Sequence, residues 1–561
     1  MRKMNHFKLL AVICAMALFA SCNFEEINTN QFEMSDGEGA MDGFEVGGLI
    51  TAMQRTVIPV GTQADDTDVI NEYQIAYHLS ADNWSGFFGE NNSNGWNAGS
   101  NNTTYYLLDN WIKATYTQSY TNALDPWKKL KIASEKNGTP EVFALAQILK
   151  ISAWHKTLES FGPMPYSHAA DATMNIPFDS EKEVYTAMFE ELTAAIEELT
   201  EKAENGVNVM GAYDAVYAGD ATKWVKYGNS LMLRLAMRVR FADAELAKKY
   251  ATQAVNHSIG VMTAKDDAAQ MSQGAGMTFR NNIEWLAGNY NEARMGSSIF
   301  SYLMGYEDPR LSVYFLPMDG NASYGVEAFD GKTYQAVPAG HANAQNDIYK
   351  SCSKPNIQSG TPTYWLRASE VYFLRAEAAL VWEGFGSADS WYKQGIDMSF
   401  QENGVTAPVD DYMNSNLAPR AYVFSHYQYG QTLSAPCETT VKFEGTTEQK
   451  LEKIMIQKWI ALFPNGQEAW TEWRRTGYPK LNVIKTLKGA VQGATLEGGI
   501  RRMIYPTSFS QTNEGKAIYE AALKLFNNGA GGEDKSSTRL WWDCKLSLIH
   551  ISEPTRHAQI S

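Results

Sequence analysis

Apolar residues recur every three to four positions along most of this chain, the period of an amphipathic helix. Val184, Met188, Leu192, Ala195 and Leu199 form one such stripe. Ser180 precedes it and Glu183 stands three residues on, a capping box in which each side chain satisfies the other's free backbone N–H. Asp220 opens a second helix, Ala221 to Phe241. Glu141 to Phe161 is apolar nearly all round, which predicts a buried helix stopped by Gly162-Pro163. Tyr364 to Trp382 predicts a fourth helix, ended by Gly384, and Ser387 to Phe400 a fifth. Lys450 to Phe463 predicts a sixth, with Leu451, Ile454, Met455, Trp459 and Leu462 on one face.

Short helices in adjacent pairs predict a mainly α fold, a tetratricopeptide-like array of helical hairpins. That repeat's own pattern, at a fixed period of about 34 residues, is not found, so the expectation rests on helix pairing. The segments from about Asp266 to Pro362 and from Thr406 to Glu444 are rich in Gly, Asn and Pro. They predict loops and short strands packed on the array, a loop-rich region of the kind that carries function.

The two ends depart from this pattern. Arg2, Lys3 and Lys8 precede an apolar run of 12, Leu9 to Ala20, too short to span a bilayer but suited to a signal-peptide core. Ala20-Ser21-Cys22 follows, which resembles a bacterial lipobox, with Leu18 one place early and the bulky Phe19 inside it. Cys22 is then the lipidated first residue of the mature chain, and several acyl chains on it would give lasting membrane attachment. Asn23 to Asn30 reads as a polar tether, and its Glu25-Glu26 pair resembles an acidic export signal of surface lipoproteins. At the other end, Leu546 onward resembles the in-frame translation of a sequencing adapter, so Leu546 to Ser561 is left out of the fold as an artefact tail. The expected plan is a signal peptide at 1–21, a lipidated tether at 22–39, one compact unit at 40–545 and the tail at 546–561.

With 561 residues, the chain is long for a single hydrophobic core. The net charge of −15 argues against a nucleic-acid partner. Removing residues 1–21 removes three positive charges and no negative ones, which leaves about −18. Beyond Cys14 and Cys22, Cys352, Cys437 and Cys544 are odd in number and widely spaced. They give neither a disulfide framework nor a metal knuckle, so burial must hold the fold.

Motifs for catalysis are missing from the sequence: no HExxH, no GxSxG elbow, no P-loop and no GxGxxG after a strand. His78, His155, His168, His257, His341 and His426 lie far apart and read as core or surface residues. A glycosidase needs two carboxylates at a set separation, which sequence does not reveal. A sugar is bound by aromatic faces against its C–H side and by planar polar groups against its hydroxyls. Ala81 to Trp111 carries both. Trp84, Phe87, Phe88, Trp96, Tyr105 and Tyr106 alternate there with Asn83, Asn91, Asn97 and Asn101, and residues 89–102 read as a loop. Trp96, Trp84, Tyr105, Asn97 and Asn101 are the expected ligand contacts, with Trp84 and Phe88 alternatively anchoring the loop to the core. Tyr290, Tyr302 and Tyr324 are secondary candidates. The Asn-rich loop could take Ca²⁺ but lacks a regular ligand spacing, and no cofactor is expected.

Several segments, in order, resemble the SusD/RagB-type nutrient-binding lipoproteins. They are Ile148 to Ala169, Tyr217 to Val239, Asp308 to Leu311 (DPRL), Ala368 to Leu380, Ile456 to Leu481, Arg501 to Pro506 (RRMIYP) and Thr538 to Asp543 (TRLWWD). The stretch QKWIALFPNGQEAWTEWRRTGYP is the most specific. The resemblance implies helix pairs supporting an irregular ligand-binding region, no catalysis, and an outward-facing lipoprotein of the outer membrane. It implies a lid on a SusC-like TonB-dependent transporter that takes an oligosaccharide or, in some relatives, a peptide. A surface hydrolase and a structural adhesin are the competing readings. Arg474 and Arg475 with Trp470 and Trp473 could form a sugar site; the favoured reading from the residues themselves is that Trp470 packs on the array and Arg474 and Arg475 pair with carboxylates. Arg234, Arg238 and Arg240, and Arg375 beside Glu377, read the same way, as ion-paired scaffold.

Overall fold

A computed structural model describes residues 44–60, 71–91, 102–171, 173, 176–272, 279–340 and 348–545. The chain divides into two units. In Met1–Gly48 only the start of helix α1 (Phe44–Val57) is described; Leu49–Ser561 carries all that follows. The signal, Cys22 with its tether, and the tail from Leu546 lie outside the described residues.

Helices α2 (Asn122–Asn137), α3 (Pro140–Phe161), α4 (Glu181–Glu204), α5 (Ala221–Val239) and α6 (Ala244–Asn256) each pack on the next. Helix α5 also packs on α7 (Ala368–Val381), which pairs with α8 (Ala388–Glu402) and with α9 (Thr447–Leu462). Helix α10 (Gly466–Thr476) packs against α9 and α3. This is the expected array of helical hairpins. The caps that mark it in the sequence are formed: Ser180 with Glu183 in a capping box, Asp220 accepting from the Lys223 N–H and Ser387 from the Ser390 N–H. Thr446 and Gln449 make a second capping box, so α9 starts three residues before the apolar stripe predicts. The irregular segments contain short antiparallel strands. Phe88–Glu90 pairs with Ala293–Met295, Ala269–Met271 with Thr363–Leu366, Glu327–Phe329 with Lys332–Tyr334 and Tyr422–Phe424 with Gln431–Leu433.

The fourth predicted helix begins late. Tyr364, Trp365 and Leu366 are extended and paired with a strand, and the helix starts only after Arg367. Arg367 is buried, and its guanidinium donates to the Ala461 and Phe463 carbonyls, which fixes the turn between strand and helix.

Charge holds the middle of the array. Arg238, fully buried on α5, bonds to Glu159 of α3 and to Glu468 and Glu472 of α10. Arg234 meets Glu370 of α7 at 2.7 Å, and Lys458 of α9 meets Glu472 at 3.0 Å. Arg475 grips Glu377 at 2.7 Å and Glu472 at 2.7 Å, and Arg240 reaches Glu377 at 2.9 Å. Five helices thus meet in one buried network, in which Glu370, Glu377, Glu468 and Glu472 each face more than one cation. Arg375 departs from the expected pairing. It lies half-buried on the outer side of α7, 3.6 Å from the Trp391 ring centre, and interacts by cation–π contact. The cysteines Cys352, Cys437 and Cys544 are free. Among the described residues, no helix is long and apolar enough to cross a membrane.

Two buried histidines set opposite pH limits. Burial outweighs the Glu159 carboxylate 3.2 Å away and holds His155 down at about 4, against 6.5 for a free imidazole. Its contribution to stability is complete above about pH 6.5 and is lost as pH falls toward about 4. Burial also acts against a charged His78, but Glu90 at 3.0 Å and Asp82 at 3.4 Å overcome it and raise His78 to about 10. That contribution is complete below about pH 6.5 and is lost as pH rises toward about 10. The two contributions are both complete only near pH 6.5, and thermal melts of the unaltered chain against each histidine variant read them as differences. His155→Gln should flatten the acid side alone.

Candidate ligand-binding cavity

A cavity of about 850 Å³ opens where the end of α10 meets the irregular segments. Its floor is built by stacking. The Trp84 and Trp470 rings lie 4.9 Å apart, Arg474 lies 3.4 Å from the Trp470 ring centre, and Trp542 lies 4.9 Å from the other end of that stack. Each indole N–H in the floor that has a partner bonds to the backbone: Trp84 to the Asn102 carbonyl at 2.9 Å, Trp470 to that of Ile500 at 3.0 Å. Arg474 meets no carboxylate, contrary to expectation. It donates to the Glu159 and Arg501 carbonyls and the Thr471 hydroxyl, because backbone at the ends of α3 and of the 495–501 loop reaches it first. Arg475 does pair with carboxylates.

Two aromatic side chains stand on the walls, and their polar groups have no hydrogen-bond partner among the described residues. Tyr105 is half-buried, and burial raises its phenol to about 12, so it stays a neutral donor and acceptor. Its backbone is left-handed, with φ 62°. Gly489 lies directly against its carbonyl: a Cβ there would come within 1.8 Å. Gln492 makes both backbone bonds of Leu107, 2.7 and 3.0 Å, and ties the 102–108 segment to the 489–493 turn. Trp473, in the last turn of α10, is half-buried and lies 5.2 Å from the Arg501 guanidinium. Gly499 stands between the two, with room for neither a Cβ against Trp473 (2.8 Å) nor a comfortable φ for one, at 61°. Gly499→Ala is expected to cost about 1–2 kcal/mol of stability through the left-handed backbone and to push Trp473 off its wall. Ligand affinity should fall by about tenfold while Trp470 fluorescence stays quenched in the core, read by titration and denaturant melts.

Of the five contacts expected from sequence, the structure brings Trp84 and Tyr105 to this one cavity. Trp84 is only 6 % exposed, so it backs the floor and fills the anchoring role. Trp96, Asn97 and Asn101 lie outside the described residues. Asn83 is committed to the His78 carbonyl and Glu90. Tyr290, Tyr302 and Tyr324 line other places: Tyr302 is fully buried and donates to the Lys480 carbonyl, Tyr290 donates to Asn71, and Tyr324 packs between Phe424 and His426. Trp473 lines the cavity as well; the sequence sets it in a group that could form a sugar site, with Trp470, Arg474 and Arg475, and favours a scaffold role for the other three. It stands in the final helical turn before Gly477, a left-handed cap at φ 78° where the helix gives way to the loop. Among the described residues, no group of three or more His, Cys, Asp or Glu could hold a metal ion.

The sequence pattern of the SusD-like family, Susd and RagB outer membrane lipoproteins, matches residues 26–543. No curated protein matches the chain. Solved structures do. A chitin-binding SusD homologue from Flavobacterium johnsoniae is 31% identical, covers 90% of this chain and 99% of its own, and superposes with a TM-score of 0.79. A SusD homologue from Bacteroides vulgatus is 30% identical over 90% of this chain and 99% of its own, with a TM-score of 0.80. One from Bacteroides uniformis is 30% identical over 90% and 100%, with a TM-score of 0.78.

Proposed function

We propose that this chain, which belongs to the SusD-like family of outer membrane lipoproteins, captures an oligosaccharide in the cavity between Tyr105 and Trp473. The observation that carries the proposal is the cavity itself: about 850 Å³, with two aromatic walls whose hydroxyl and indole N–H have no partner among the described residues. Aromatic faces take the C–H side of a pyranose, and the free polar groups take its hydroxyls. The similarity to a chitin-binding homologue makes N-acetylglucosamine oligomers the first ligands to try.

On this reading Cys22 carries the lipid, the acidic tether leads to the cell exterior, and the protein passes its ligand to a TonB-dependent transporter. A peptide is the alternative cargo for the same cavity. A hydrolytic role finds little support in the cavity's chemistry. Glu90 is engaged by His78 and Asn83, and Glu448 by Lys545 and Tyr478. The two-carboxylate mechanism needs a second free acid beside Glu497.

The test is a detergent pull-down of the lipidated protein from its own outer membrane, with a screen of glycans and peptides on the same preparation. A transporter recovered in stoichiometric amount together with glycan binding supports the proposal. Recovery of the lipoprotein alone removes the delivery role, and peptide binding without glycan binding exchanges the cargo.

A further inference from the structure

We infer that the oligosaccharide taken by this cavity carries an acidic group, a carboxylate or a sulfate, received by the Arg539 guanidinium at the end of the cavity where Arg501 faces Trp473. The inference rests on the glycan reading above and adds the charge class of the sugar. Three arginines of the wall depend on one carboxylate. Arg501 takes both oxygens of Asp543, with its Nε 2.8 Å from Oδ2. Arg539 reaches the same carboxylate with Nη1 alone, at 3.2 Å. Arg474 bonds to backbone carbonyls and the Thr471 hydroxyl, and the carboxylate that acts on it most strongly is again Asp543. Glu181 lies close by, but burial raises it to about 8, so at neutral pH it is mostly protonated and adds little negative charge.

Of the three arginines, Arg539 is open to a ligand. Its side chain is 54 % exposed, and its Nε and Nη2 have no hydrogen-bond partner among the described residues. A carboxylate or a sulfate accepts from both together, the forked geometry that a guanidinium offers and an ammonium does not. The other charges of the wall do not offset the surplus. Arg475 is answered by Glu377 and Glu472, and Lys545 by Glu448. Glu90 is buried and already holds His78 and Asn83, while Lys480 and Glu497, both exposed, are opposite in sign. The chain around the rim adds to the positive side. From Trp473 to Leu496 it carries Arg474, Arg475, Lys480, Lys485 and Lys488 and no acidic residue, although the whole protein has a net charge of −15. A contact made at a half-exposed arginine is screened by salt, so the preference for an acidic sugar should weaken as salt rises.

The probes are hexamers of N-acetylglucosamine, which is neutral, of alternating N-acetylglucosamine and glucuronic acid, which bears carboxylates, and of a sulfated galactan. They are titrated by calorimetry at low and at high salt against the mature chain, Arg539→Gln, Arg539→Lys and Lys516→Gln, the last removing an exposed cation outside the cavity. At least one acidic hexamer is expected to bind about tenfold more tightly than the neutral one at low salt, with the advantage shrinking at high salt. The two acidic hexamers tell a carboxylate from a sulfate. Arg539→Gln should abolish the advantage, Arg539→Lys should restore only part of it, and Lys516→Gln should keep it whole. Equal or tighter binding of the neutral hexamer, or an acidic preference that survives Arg539→Gln, overturns this inference and leaves the glycan reading standing. Binding of no hexamer overturns the glycan reading, and this inference with it.

Discussion

Glu472→Ala is expected to lower the unfolding free energy by about 3–5 kcal/mol. Glu472 is buried and receives Arg238, Lys458 and Arg475 together. Removing it takes a shared carboxylate from three buried cations on three helices: Arg238 keeps Glu159 and Glu468, Arg475 keeps Glu377, and Lys458 keeps only longer contacts to Glu370 at 3.7 Å and Glu468 at 3.9 Å. The gain from their pairing is modest, because desolvation opposes it, but the cost of leaving buried cations short of a carboxylate is not. Glu472→Gln should recover part of the loss by accepting from one arginine. The exposed pair Lys516 and Glu520, 3.9 Å apart, is the control, and its removal should change stability by about 0–1 kcal/mol. Denaturant unfolding of the three variants decides the matter. A loss at Glu472 no larger than at Glu520 would show that the network does not hold the array.

Trp473→Ala should be nearly silent in stability and severe in binding. The ring is half-buried and meets Gly499 and Arg501, so its loss removes little core. As the aromatic wall of the cavity it should act as a hot spot worth about 2 kcal/mol, roughly a thirtyfold loss of glycan affinity. Trp470→Ala should behave the other way round. Its ring is wholly buried under Arg474 and beside Trp84, so it should cost about 3–5 kcal/mol of folding and collapse the floor. Calorimetry and thermal melts on both variants separate the two roles. Equal effects on stability would mean that Trp473 belongs to the scaffold.

This split explains what the sequence could and could not show. Apolar stripes and caps are local, so α3, α4, α5, α8 and α9 were legible, down to the Ser180 box. Helix α10 was not. It buries Glu468, Glu472, Arg474 and Arg475, so its inward face is charged and no apolar stripe marks it. Tyr364 to Leu366 read as helix because the strand that pairs with them, Ala269–Met271, lies about a hundred residues away. The family segments turn out to be scaffold chemistry. Asp308 and Arg310, Arg501 and Asp543, and Glu370 and Arg234 are each partners in a buried bond. Recognising them identifies the fold and says little about ligand. The site residues stood out by composition instead: Trp84 and Tyr105 in an aromatic and Asn-rich stretch, and Trp473 beside Trp470 and two arginines, where nothing local separates the wall residue from its buried neighbours.

The most direct measurement is a crystal structure of the mature chain soaked with the oligosaccharide that the binding screen selects. Sugar density is expected in the cavity, with one pyranose face against Trp473 and a hydroxyl within hydrogen-bond reach of the Tyr105 phenol. Ordered sugar elsewhere on the surface, with this cavity holding only water, would contradict it.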